Sequence, residues 1–210
     1  MAEPALKERV KLALVGQRRR VQRLDPFRAA GLVGGNMKNT GLAILLGCLL
    51  VKAAVGEPLS QADANRLRTE ITAMMTAFDR GDPSMFLELT HPSLQSLAGG
   101  PDAFAALVRQ SLETLRQGGV KVISAEVGAP TQTYSAGEEE VCFVPRVSVM
   151  DVQGRRARST TFMIAIRRVG DSQWKYLDGA GLRRSPALLY QLLPKLERGI
   201  ALPANQVEAL

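Results

Sequence analysis

An α+β fold is predicted by three features of the chain. Between Ser60 and Gly119, apolar residues recur at helical spacing in three segments bounded by capping or breaking residues. At Val120 the apolar period changes to two and stays so to Asp178. The strand-like runs of that stretch are joined by short glycine-containing turns, as antiparallel neighbours are. Helices first and strands afterwards, without alternation, exclude a βαβ plan.

The first helix is capped by Ser60 or Asp63 and runs to about Arg80, with Leu67, Ile71, Met74, Met75 and Phe78 on one stripe and Gly81 just past its end. Asp82-Pro83 starts a short second helix that buries Met85, Phe86 and Leu89. His91-Pro92 stops it, because the residue before proline is pushed out of the helical region. Leu94 and Leu97 then tuck a loop inward. Gly99 to Asp102 opens the third helix, whose buried face carries Phe104, Leu107, Val108, Ser111, Leu112 and Leu115, and Gly118-Gly119 closes it.

Strands are expected at Val120–Val127, Thr131–Tyr134, Glu140–Val152, Arg158–Arg168 and Gln173–Asp178. Pro145 lies inside the third of these and argues for an edge position or a bulge. Gln153-Gly154 and Val169 to Ser172 are the hairpin turns. Ser185-Pro186 starts a C-terminal helix with Leu188, Leu189, Leu192 and Leu193, interrupted near Pro194. These leucines are too apolar to lie free; they cover an open end of the domain or dock on a second subunit.

Met37 to Gly56 has the three parts of a secretory signal peptide: Lys38 after Met37, the apolar run Gly41–Val51, and Ala54-Val55-Gly56 as a small-x-small site. The apolar run is too short for a bilayer span, which takes about 20 residues. Cleavage is expected before Glu57, giving an exported, periplasmic protein with no membrane span. Leu45 to Cys48 loosely resembles a lipobox, and a lipoprotein is the second expectation. Residues 1–36, with Arg18, Arg19, Arg20 and Arg23, are expected to be a mis-assigned start or a disordered leader; a long twin-arginine n-region is the alternative. The domain proper is then 57–184, followed by a helix and tail at 185–210.

Charge follows the same division. The chain has 27 basic and 20 acidic residues, a net +7, and residues 1–56 hold ten of the basic and three of the acidic. Residues 57–210 are therefore neutral, which removes the basic footprint that nucleic-acid binding needs. Arg155, Arg156 and Arg158 read as a solvated hairpin tip, with an acidic partner patch as the alternative. The chain has two cysteines. Cys48 leaves with the signal, so Cys142 stands alone, as a buried thiol in an apolar strand.

No dinucleotide, phosphate-loop, zinc-protease, nucleophile-elbow or CxxC motif occurs in residues 57–210. One histidine and one remote cysteine make no metal constellation, and no cofactor is expected.

The helix ending AFDRGD, the segment PSMFLELTHPS, the helix GGPDAFAALVRQ and the closing WKYLDG resemble the nuclear transport factor 2-like superfamily, shared with ketosteroid isomerase and SnoaL-like proteins. The similarity covers about Leu67 to Asp178. It implies a cone in which three N-terminal helices pack on a curved antiparallel sheet, with a pocket between them. In catalytic members an acid or a histidine in that pocket moves a proton; the carry-over here is Asp178 or His91.

Asp178 ends a strand beside Gly179, where a solvated turn carboxylate is the ordinary reading. His91 precedes Pro92, and capping or packing is expected of it. Trp174, Tyr176, Arg146 and Phe78 are the candidate ligand-binding residues. Trp174 and Tyr176 are equally readable as core aromatics. Arg146 lies on a mostly apolar strand face, where it either pairs with a carboxylate, Glu126 or Asp178, or receives an anionic ligand; pairing is the expectation.

The leading functional expectation is an exported module that binds a small apolar ligand or a protein partner. The alternatives are a small isomerase or dehydratase using a pocket carboxylate, and a structural homodimer through the convex sheet face.

Overall fold

Two 14-residue strands joined by a two-residue turn organise the structure, a computed structural model that describes residues 57–130 and 132–210. The stretches expected to be a leader and a signal peptide, with Cys48, lie outside the described residues. The strands are β4 (Glu139–Val152) and β5 (Arg155–Arg168), paired from Glu139↔Arg168 to Val152↔Arg155. Both turn residues have positive φ, Gln153 at 56° and Gly154 at 81°, as the twist of a tight hairpin demands. The Asp151 carboxylate accepts the Gly154 N–H at 2.9 Å.

Five short strands complete a seven-stranded antiparallel sheet. On the outer edge of β4, β2 (Val120–Val127) pairs with its second half and β3 (Gln132–Ala136) with its first. On the outer edge of β5, β6 (Lys175–Asp178) pairs with Met163–Ile166 and β7 (Gln206–Ala209) with Ala157–Thr160. The two-residue β1 (Glu57–Pro58) flanks β3.

The strand carrying Pro145 is therefore central, not an edge. The proline falls where β3 has ended and β2 has not begun. Its carbonyl accepts the Gly128 N–H at 2.8 Å, so its backbone points into that gap and its missing N–H leaves no ladder bond unmade.

Four helices lie between β1 and β2, one more than the sequence predicts. Helix α1 (Gln61–Asp79) is capped by Ser60, whose Oγ accepts the Asp63 N–H at 3.1 Å. It buries Leu67, Ile71, Met74 and Met75. Helix α2 (Ser84–Leu89) follows Asp82, whose carboxylate accepts the Ser84 N–H. The additional helix is α3 (Pro92–Leu97), in the stretch expected to be a loop. His91 ends one helix and caps the next, and Pro92 sits at N1, where its lost N–H costs nothing. Helix α4 (Pro101–Gln117) buries Phe104, Val108 and Ser111.

The expected C-terminal helix is also corrected. Its leucines form 3₁₀ turns at Gly179–Arg184 and Pro186–Leu188 and a four-residue helix α5 (Leu189–Leu192), because glycines, Pro186 and Pro194 break any longer run.

The first half of the β4–β5 hairpin is covered on both faces. Cys142, Val144, Met163 and Ala165 pack with α1 and with Trp174 and Tyr176. Val141, Phe143, Ile164 and Ile166 pack with Leu182, Leu189 and Leu193 of the C-terminal segment. The leucines expected to close an end or dock on a partner thus form a second core layer. In the other half of the hairpin, the inner face turns to a cavity.

Candidate ligand-binding cavity

Even-numbered residues of β4 and odd-numbered residues of β5 share the inner face, since Arg146 pairs with Thr161 and Ser148 with Ser159. Toward the hairpin tip this face changes from apolar to polar. Arg146, Ser148, Ser159 and Thr161 are all buried, Arg146 to 8 % exposure. They form one wall of a cavity of about 730 Å³ whose lining also takes in Ile164, Leu177, Leu188 and Leu192 of the outer-face cluster. Met75, Phe78 and Phe86 of the helical layer and Val122 and Met150 of the sheet supply apolar lining, and the segment Asp178–Ala187 closes another side.

Asn205, just before β7, organises that side. Its Oδ1 accepts from Arg183 Nε at 3.1 Å and from the Thr161 hydroxyl at 3.4 Å, and its Nδ2 donates to the Gly179 carbonyl at 2.6 Å. Arg183 also donates to Ser159 Oγ at 3.4 Å.

Arg146 differs from Arg183. Its Nε is sealed from solvent and has no hydrogen-bond partner, and its guanidinium forms no ion pair among the described residues. Neither expected carboxylate pairs with it. Glu126 stands opposite Val147 and is exposed on the other face, because the bulge between Val122 and Ser124 resets the register of β2. Asp178 is occupied as the cap of the 3₁₀ turn, where it accepts the Ala180 N–H at 2.8 Å. The carboxylate that feels Arg146 is Asp79, the last residue of α1. Burial raises its carboxyl above the ordinary aspartate value, and Arg146 partly opposes that rise. Asp79 is nonetheless an exposed residue at the end of α1, so burial acts on only part of its carboxylate.

Of the residues singled out in the sequence, the fold brings Arg146, Phe78 and Asp178 to this cavity. Trp174 and Tyr176 lie in the core beneath α1 and do not line it. Trp174 is stacked under Arg167, whose Cζ is 4.2 Å from the ring centroid. Arg167 also grips both Asp63 oxygens, at 3.1 and 3.2 Å, and Glu140 at 2.6 Å, tying the start of α1 to the sheet. The Tyr176 hydroxyl bonds to Glu70, and burial pushes its pKa up.

His91 is also away from the cavity wall. Its Nδ1 accepts the Ser93 N–H at 3.3 Å and lies 2.7 Å from the Ser93 hydroxyl, while Nε2 faces Glu139 at 3.3 Å. With Nδ1 filled by its own helix cap, this set holds a turn rather than activating the serine. Cys142 is fully buried, and desolvation pushes its thiol up to about 12, which makes it inert.

Asp79, Ser148, Thr161, Ser159 and Asn205 were not singled out in the sequence. Asp79 had a readable signal: it extends the Ile71, Met75 stripe by one more step of four. The hydroxyls had another, since they alternate in step with Arg146 on its own strand and the next. Asn205 had none.

Among the described residues no group of three or more histidine, cysteine or carboxylate side chains could hold a metal, and no helix is long and apolar enough to cross a membrane. Comparison with protein-family models, with curated proteins and with solved structures gives no match.

Proposed function

We propose that the protein is an exported binding module of the nuclear transport factor 2-like kind that holds one small, mostly apolar molecule between its helical layer and its sheet. The observation that carries this reading is the cavity of about 730 Å³, which falls in the size range of drug-sized ligand sites and has an apolar lining with a few convergent polar groups. The helical layer in front of an antiparallel sheet supports the cone architecture.

Native mass spectrometry of the full chain purified from its own host tests the proposal. The expected spectrum shows a chain beginning at Glu57 with one non-covalent small-molecule adduct. An adduct-free chain that no small molecule stabilises thermally overturns the binding reading. A mature chain that retains residues 1–56 overturns export, and twice the mass supports the homodimer instead.

A second reading has its own observation. Asp79 lines the cavity, its carboxyl is raised by burial, and a cation stands near it; a general base for an isomerase or dehydratase needs that setting. Asp79→Asn then removes turnover while ligand binding persists. Turnover retained in that variant rejects this reading.

A further inference from the structure

We infer that the ligand carries a single carboxylate and enters head-first, with that carboxylate on Arg146. This rests on the binding reading above and names the ligand class for the same cavity.

A guanidinium can be buried without penalty only when its donors are used. Arg146 is more than nine-tenths buried; its Nε is sealed off, and its two Nη groups, which nothing in the described protein engages, are the donors it presents to the cavity. Arg183, on the opposite side, is already engaged by Asn205 and Ser159. The acceptor for Arg146 must come from within the cavity.

Its immediate surroundings match a carboxylate. Ser148 is two residues along the same strand on the same face, and no side-chain hydrogen bond among the described residues engages its hydroxyl. Thr161 stands directly across the ladder, held only by a 3.4 Å bond to Asn205. A guanidinium flanked by two hydroxyls offers several donors to two oxygens. Three arginines, Arg146, Arg183 and Arg184, and two aspartates, Asp79 and Asp178, line the cavity, a formal net charge of +1 that one carboxylate neutralises and a dianion such as a phosphate monoester exceeds. Met75, Phe78, Phe86 and Met150 leave the rest of the space to hydrocarbon.

The test is calorimetric titration of the full chain, unfolded and refolded to remove any carried-over ligand, with decanoate, decan-1-ol and decyl phosphate. Decanoate is expected to bind about ten- to a hundredfold tighter than decan-1-ol, the range of one charge-assisted hydrogen bond. Arg146→Met lowers decanoate to the level of the alcohol and leaves the alcohol unchanged, and Arg146→Lys falls between. Ser148→Ala weakens decanoate several-fold and covers the case in which the arginine variants do not fold.

Equal binding of acid and alcohol overturns the head-group assignment and leaves the cavity reading standing. Tighter binding of decyl phosphate than of decanoate overturns the single-charge assignment. Binding of none of the three overturns the cavity reading itself.

Discussion

Replacing Arg146 by methionine is expected to make the ligand-free protein more stable. A buried donor left without a partner costs about 1–3 kcal/mol, and more when it is charged. Arg146 is 8 % exposed, and its Nε has no partner. Methionine keeps an unbranched stem of similar length among the same apolar neighbours and brings no donor. Against this gain stands Asp79, which loses a favourable positive neighbour. Asp79 reaches solvent, so the loss is screened, and its carboxyl moves further up rather than paying a full charge penalty. The net expectation is a gain of about 1 kcal/mol, or roughly 2–4 °C in melting temperature for a domain of this size. Urea unfolding at neutral pH, after removal of carried-over ligand, measures it, with the m-value unchanged. A loss of about 1 kcal/mol or more refutes the reasoning, since the guanidinium would then be holding the fold. A double-mutant cycle with Asp79→Asn locates the error: a coupling above about 1 kcal/mol identifies Arg146–Asp79 as a structural ion pair.

Asp79→Asn is expected to stabilise at neutral pH and to be silent in acid. The folded carboxyl is raised, so the wild-type contribution is full below the unfolded pKa and is lost as pH rises through the folded one; melting temperatures across pH 3–8 read the divergence. Gly179→Ala places a Cβ 2.5 Å from the Phe162 carbonyl and 2.7 Å from its ring, and backbone cannot yield there; a loss of about 1–3 kcal/mol in urea melts is expected, with weaker ligand binding because Gly179 anchors Asn205. Arg167→Met strands Asp63 and Glu140, both only partly shielded, and removes the stack on Trp174; about 2 kcal/mol is expected to be lost in urea. Because the hydrogen bond from Arg167 holds the Asp63 carboxyl below its ordinary value, that stabilisation is present at neutral pH and fades as pH falls through the folded value. Native-state hydrogen exchange should show the amides of Val141–Val144 and Ile164–Ile166 opening only globally, with those near the hairpin tip opening earlier.

The helical layer was legible because its signals are local. Leu67, Ile71, Met74 and Met75 fall on one stripe, Ser60 supplies the cap and Gly81 the stop, and all of these act within a few residues. The Gln153-Gly154 turn was legible for the same reason. Helix α3 was not: His91-Pro92 is a stop for the helix before it and also a start for the one after, and a six-residue helix has too little periodicity to announce itself. The leucines after Ser185 carried helical spacing, but two prolines and contact with the sheet decided their form. Strand β7, QVEA, is short and half polar, and it is a strand only because the free edge of β5 lies beside it. The cavity was half legible. Arg146 and Phe78 could be picked out by pattern, whereas Asn205 and Arg183 reach the site on irregular segments whose position depends on the whole fold.

The two interruptions in the sheet explain why one hairpin can serve both as core and as cavity wall. On the β4 side, pairing lapses between Cys142 and Arg146; on the β5 side, it lapses between Thr160 and Met163. The register Pro145↔Phe162 sets these gaps at the same level. Toward the strand ends, both faces are covered and every inner residue from Cys142 to Val144 is apolar. Toward the tip, the outer face is open, with Val147 at the surface, and the inner residues turn polar at once with Arg146. A buried unpaired arginine is a large penalty for a marginally stable domain. Placed beyond the break, it loads the half of the hairpin that is not sandwiched between two cores, and the half that carries folding stability is spared. Proline at 145 fits the same division: it is tolerated in the one stretch of β4 whose outer edge asks for no donor, and it marks in sequence where the core stops and the cavity begins.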